Sequence, residues 1–203
     1  MIAEKKHSKF YSYSEYLKLT ISCAENNSTT GTEMSEGRIQ ATKLNAHRML
    51  RIYKQVNLEE KLVKLLKDNK NINWDWLVIS EAWCGDSAQC LPLIAKISEL
   101  NSGIKLRIVL RDEDQELINK YTTNGSKSIP TLICFDSFTG SEIGNWGPRP
   151  AEIASQVKSF KAANPNVSHD DFVKQLHLWY AKDKGLSLQA DFYSLICSWT
   201  NKF

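Results

Sequence analysis

Short apolar runs alternate with amphipathic segments along the middle of the chain, and this alternation constrains the fold more than any other feature. Runs rich in branched and aromatic side chains at 76–79, 105–110 and 131–135 predict strands. A helix is expected between the first two, at 87–100, and a fourth strand at 141–145. Strand–helix–strand followed by a hairpin predicts a mixed α/β sheet covered by helices on both faces.

Other segments are predicted to be helices or loops. Apolar spacing predicts two amphipathic helices at 39–56 and 58–67, and a short helix at 114–121. A further helix is expected to begin near Pro150, since proline suits the first turn. The polar run 25–37, rich in Asn, Ser, Thr and Gly, predicts a loop.

The chain divides into three parts on this reading. Residues 1–73 form an N-terminal helical extension, 74–164 a central α/β domain, and 165–203 a C-terminal helical extension packed on that domain. Apolar stripes predict two helices in the tail, with Phe172, Leu176, Trp179 and Tyr180 in one and Leu188, Phe192, Leu195, Ile196 and Trp199 in the other.

Composition excludes several classes of protein. The 203 residues are 42% hydrophobic and 24% charged, which is typical of globular proteins. A net charge of +3 does not indicate a nucleic-acid partner, and the basic stretch 38–70 is read as solvated helix faces. No apolar run approaches the ~18 residues of a membrane span. No secretory signal is apparent, so we expect a cytoplasmic protein without membrane partners.

The cysteine set does not indicate a disulfide framework. Five is an odd number, and the chain is too long for a small disulfide scaffold. No Cys or His pair has the spacing of metal ligands, so no metal is expected. The thiols should be mostly buried unless one of them does chemistry; they are Cys23, Cys84, Cys90, Cys134 and Cys197.

Cys84 is the cysteine best placed for chemistry. It lies where a strand is predicted to end and a helix to begin, so backbone N–H groups and the helix dipole can stabilise its thiolate. Gly85 gives room for the turn. Pro130 comes directly before the third strand, where a cis X–Pro bond would present a backbone edge to an incoming peptide.

These motifs resemble the thioredoxin superfamily over about residues 74–164. Three separated features agree in order and spacing: Trp83-Cys84-Gly85 with Pro92 eight residues after the cysteine, Ile129-Pro130-Thr131 opening a strand, and Gly147 near the fourth strand. The flanking helices and the tail 178–185 resemble a subgroup of bacterial thioredoxin-like proteins with helical extensions.

The resemblance implies thiol–disulfide exchange with proteins or low-molecular-weight thiols, and no cofactor. It makes Cys84 the nucleophile and Pro130 the cis-proline, with backbone contacts to substrate from Ile129. The remaining substrate-binding surface would comprise Trp83, Gly85, Asp86, Trp146 and Gly147. In this superfamily a cysteine three residues after the nucleophile resolves the mixed disulfide.

The sequence departs from the family pattern at three positions. Ser87 occupies the resolving position, Asp86 stands where proline is usual, and Val78 matches the usual buried acid. An acid in the first turn opposes a neighbouring thiolate, so the pKa of Cys84 should be less depressed than otherwise. Cys90 lies six residues after Cys84, so on a helix the two are separated by a rotation of about 240° and a rise of about 9 Å. A disulfide cannot span that distance unless the first turn unwinds. We expect Cys90 to be buried, with a resolving role left open.

Three functions remain open at this point. One is exchange through a single thiol, Cys84, resolved by an external thiol, and a second is a non-catalytic peptide- or protein-binding module. A third possibility is a redox switch between Cys84 and Cys90. Arg111 is a candidate neighbour of the thiolate or an ion-pair partner of Asp112, and Arg149 a candidate contact for an anionic substrate.

Overall fold

The computed structural model describes residues 9–201 and contains one four-stranded sheet. The strand order is β2-β1-β3-β4, with β1 parallel to β2 and the other pairs antiparallel. The mixed α/β sheet predicted from the sequence is therefore confirmed. The strands are β1 (Trp74–Ser80), β2 (Ile104–Leu110), β3 (Thr131–Asp136) and β4 (Glu142–Trp146).

Eight α-helices accompany this sheet within the described residues. Seven correspond to helices predicted above, and their bounds differ from the predicted ones by a few residues. The helices are α1 (Tyr13–Glu25), α2 (Glu36–Gln55), α3 (Glu60–Asp68), α4 (Gly85–Ser98), α5 (Gln115–Lys120), α6 (Ala151–Ala163), α7 (His169–Asp183) and α8 (Leu186–Thr200).

Helix α1 was not predicted, although its start signal is present. Ser12 and Glu15 form a reciprocal capping box, in which each side chain accepts a hydrogen bond from the other residue's backbone N–H. Tyr13 and Tyr16 are buried, and the Tyr16 hydroxyl lies 2.9 Å from the Ser80 hydroxyl. The aromatic run therefore forms a core-facing helix, because its capping and burial outweigh the modest helix propensity of tyrosine.

The two faces of the sheet are covered unequally. Trp76 and Val78 of β1 join the large core that the terminal helices complete, with Trp76 edge-on to Phe192 of α8 at 5.4 Å. Alternate residues Leu77 and Ile79 point to the opposite face, where a smaller cluster lies. That smaller cluster contains Cys84, so the candidate thiol is at the thinly covered face of the sheet.

No helix in the described part of the chain is long and apolar enough to span a bilayer.

Candidate functional site

Cys84 is the N-cap residue of α4. Its backbone is extended, and its Sγ accepts a hydrogen bond from the Ser87 N–H at 3.4 Å. This position satisfies an N–H group that the first helical turn leaves without an intrahelical partner. Ser87 Oγ is buried and has no hydrogen-bond partner among the described residues. The serine at the resolving position therefore binds the thiol through its backbone N–H.

The loop before β3 faces this helix start. The Ile129–Pro130 peptide bond is cis, and the Cys84 thiol donates to the Ile129 carbonyl at 3.2 Å. Gly147 approaches the same loop so closely that a Cβ there would lie 2.3 Å from the Pro130 carbonyl oxygen. Its φ of +133° also favours glycine. The structure thus brings together the three motifs that are far apart in sequence.

Burial controls the ionisation of Cys84. Only 7% of the residue is exposed, and desolvation, followed by the Asp86 charge, raises the pKa of the thiol to about 11. The hydrogen bonds donated at the start of α4 lower the pKa only in part. The sequence-based expectation of a depressed pKa was therefore wrong, because loss of hydration outweighs the helix N-terminus.

Asp86 is part of a buried polar network that reaches the C-terminal extension. Arg149 binds its carboxylate through two nitrogens at 2.9 and 2.6 Å, and the Tyr180 hydroxyl of α7 donates to it at 2.8 Å. Burial raises the pKa of Asp86, while these partners favour the charged form. Arg149 is thus committed to Asp86, and the expected contact of Arg149 with an anionic substrate is replaced by an internal ion pair.

Two guanidinium groups lie over the Trp83 ring. The guanidinium carbon of Arg38 is 4.2 Å and that of Arg111 is 4.8 Å from the centroid of the ring. Both distances are short enough for cation–π attraction. Arg111 also pairs with Asp112 at 2.9 Å, which is the ion pair weighed in the sequence analysis. Arg38 was read as part of a solvated face, whereas it packs beside the candidate site. Its distance in sequence from Trp83 left no local signal of this contact.

Glu81 is a buried carboxylate that the sequence analysis did not assign. It accepts from the Thr30 hydroxyl and from the Asp112 N–H, the latter at 2.9 Å, and burial raises its pKa. The Thr30 hydroxyl in turn accepts from the Ala82 N–H at 2.8 Å. Glu81 therefore ties the loop before α2 and the turn that follows β2 to the segment that carries Cys84.

Other predicted site residues point into the core. Trp146 is 7% exposed, donates to Asp191 at 2.9 Å and packs on Phe192, so its side chain does not line the surface beside Cys84. Cys90 is fully buried, with its sulfur 3.8 Å from the Tyr180 hydroxyl.

His177 of α7 covers the first turn of α4 from outside the sheet. Its ring lies so near Gly85 that a Cβ there would be 2.9 Å from the imidazole, and its Nδ1 is 3.1 Å from the Gln89 amide. Burial, with a contribution from Arg48, lowers the pKa of His177 to about 4. The imidazole is therefore neutral near pH 7 and does not supply a positive charge to Cys84.

No group of His, Cys, Asp and Glu within the described ranges could hold a metal ion. All five cysteines are free.

Comparison with known proteins identifies the fold. The thioredoxin family model matches residues 31–161, and no curated protein matches. A crystal structure of a protein of unknown function from Pseudomonas aeruginosa is similar at 16% identity and a TM-score of 0.54, over 92% of this chain and 97% of that one. An HIV epitope scaffold is similar at 16% identity and a TM-score of 0.53, over 92% and 98%.

Proposed function

The chain belongs to the thioredoxin superfamily, and from that premise we propose that it carries out thiol–disulfide exchange through Cys84 as a single reactive thiol. The observation that carries the proposal is the position of Cys84 Sγ, 3.2 Å from the Ile129 carbonyl at the cis-proline loop and 3.4 Å from the Ser87 N–H. A disulfide that docks along this loop would meet the sulfur at the end of the helix.

The exchange begins with loss of the Cys84 proton to solvent. The thiolate attacks one sulfur of a disulfide, RS–SR′, forming Cys84–S–SR and releasing R′S⁻, which takes up a proton. Since Ser87 cannot attack, an external thiol R″SH resolves the product, giving RS–SR″ and regenerating the Cys84 thiol. Each step exchanges one S–S bond for another, with no net oxidant required. The substrates proposed are protein or low-molecular-weight disulfides and thiols.

The resting ionisation makes this exchange slow at neutral pH. With a pKa of about 11, the thiolate fraction at pH 7 is about 300-fold below that of a free cysteine with a pKa near 8.5. A more basic thiolate is intrinsically a better nucleophile. With a Brønsted coefficient of about 0.4–0.5, this higher nucleophilicity raises the rate of attack by roughly tenfold or a little more. The expected rate is therefore about 20-fold below that of free cysteine. Restricted access of a disulfide to the buried sulfur would lower it further.

A direct test is the product of reaction with oxidised glutathione. We expect one glutathionyl group per chain, mapped by mass spectrometry to Cys84, stable until an external thiol is added, and absent in Cys84→Ser. A variant lacking the half-buried Cys23 and Cys197 should behave as the parent does. Modification that persists in Cys84→Ser would refute the proposal. A loss of two daltons in a peptide containing Cys84 and Cys90 would indicate the internal disulfide instead.

A second candidate function is a non-catalytic protein-binding module. The burial of Cys84 and its raised pKa favour it, because neither suits a fast nucleophile. Partners of such a module should remain bound to Cys84→Ala under reducing conditions and be lost from Trp83→Ala, with Trp179→Ala as the matched control on α7. Partners captured only by the intact thiol, and released by reductant, would exclude this candidate.

A further inference from the structure

A cavity of about 390 Å³ lies on the outer side of α4, away from the cis-proline loop. Its walls come from α2, α4, the end of α7, the start of α8 with the turn between them, and Pro150 before α6. The volume falls within the range of small-molecule sites and equals that of about a dozen liquid waters. Cys84 does not line the cavity, and the cavity shares with the Asp86 network only Tyr180.

Most of the cavity lining is apolar. Leu93 and Cys90 of α4 and Leu188 of α8 are nearly or fully buried and line it. The half-buried Ile52 of α2 and Val56, directly after that helix, complete this lining. Hydrocarbon groups would gain by leaving water here, at roughly 25 cal/mol for each Å² of apolar surface buried.

The polar lining carries an excess of positive charge. Arg51 and Lys184 are exposed and line the cavity, and neither forms an ion pair within residues 9–201. The one acidic lining residue, Asp183, is committed to α8, where its carboxylate accepts from the Ser187 N–H at 3.1 Å and from the Ser187 hydroxyl. The cations are therefore available to a ligand, whereas the acid is engaged.

We propose that this cavity binds a small amphipathic carboxylate of the medium-chain fatty-acid type. Its chain would lie against Leu93 and Leu188, and its carboxylate would be held at the edge by Arg51 and Lys184. The apolar interior and the unpaired cations at its boundary together carry the assignment. Ligand binding here does not require the Cys84 thiol, so either proposal can fail without the other.

The shape of the site is tested with decanoate, below its micellar concentration, by titration calorimetry on the full chain. Ala181 is exposed and lines the cavity, whereas Ala190 is exposed and lies outside it. We expect decanoate to bind the parent protein and Ala190→Trp, and to bind Ala181→Trp at least tenfold more weakly because the indole fills the cavity. Absence of binding to the parent, or equal binding by the two variants, would overturn the proposal.

The charge requirement is tested with a matched pair of double variants. Arg51→Gln with Lys184→Gln should weaken decanoate binding by about 2- to 5-fold per cation, as expected of exposed ion pairs. Lys54→Gln with Lys182→Gln makes the same charge change on neighbouring positions that do not line the cavity, and should have no effect. Equal binding of decanol and decanoate to the parent would overturn the assignment of a carboxylate ligand.

Discussion

Replacing Asp86 with asparagine should speed the reaction of Cys84 with disulfides at pH 7. After burial, the Asp86 charge is the largest cause of the raised Cys84 pKa. Asparagine keeps the shape of the side chain but removes the charge. It also leaves the Arg149 guanidinium, now bound to Asp86 at 2.6 Å, without its neutralising partner, and a positive charge favours the thiolate.

The size of the effect follows from electrostatics. A single charge near the site, at an effective dielectric constant of about 20–40, contributes roughly 1–2 kcal/mol, or about one pKa unit. The Cys84 thiolate fraction at pH 7 then rises about tenfold. The lower basicity of the thiolate cancels part of this gain, so the net rate should rise about threefold.

The assay is the second-order rate of reaction with a small aromatic disulfide at pH 7, in a background in which Cys23 and Cys197 are serine. Asp170→Asn makes the same change in net charge at an exposed position of α7 and serves as the control. Thermal unfolding verifies that both variants fold. If Asp86→Asn reacts no faster than Asp170→Asn, the electrostatic account of Cys84 is refuted.

Three further substitutions test the packing around the site. Arg149→Gln leaves a buried carboxylate unpaired, so the free energy of unfolding in urea should fall by about 3 kcal/mol; an unchanged value would refute the role of the pair. Gly147→Ala should lower the free energy of unfolding by about 2 kcal/mol or more, because the added Cβ clashes with the Pro130 carbonyl. Gly37→Ala, where the added Cβ meets open space, should not destabilise the protein. His177 has a folded pKa of about 4 against 6.5 unfolded, so the stability that it contributes is lost as pH falls from 6.5 towards 4; His177→Gln should flatten the pH dependence of unfolding in that range.

The sequence predicted the sheet and the position of Cys84 because both depend on local patterns. Apolar runs define the strands, and the residues next to Cys84 place it at the start of a helix. The proximity of Cys84 to Pro130 could be predicted only from the resemblance to a family, because 45 residues separate the thiol from the Ile129 carbonyl that it contacts.

The environment of the site could not be predicted in the same way. Asp86 meets Arg149 and Tyr180 across 63 and 94 residues, and no periodicity in the sequence encodes such pairs. The burial of Cys84 depends on how the helix, the cis-proline loop and the sheet close around it. Burial raises the pKa of the Cys84 thiol, whereas the helix N-terminus alone predicted that it would be lowered.

The most direct test of a buried, protonated but exchange-competent Cys84 is its rate of mixed-disulfide formation as a function of pH. The background lacks Cys23 and Cys197, and Cys84→Ser in that background is the control. We predict that the logarithm of the rate constant rises by about one per pH unit from 7 to 9.5 without a plateau, because the pKa is about 11. A plateau near neutral pH, or the same rate in Cys84→Ser, would contradict it.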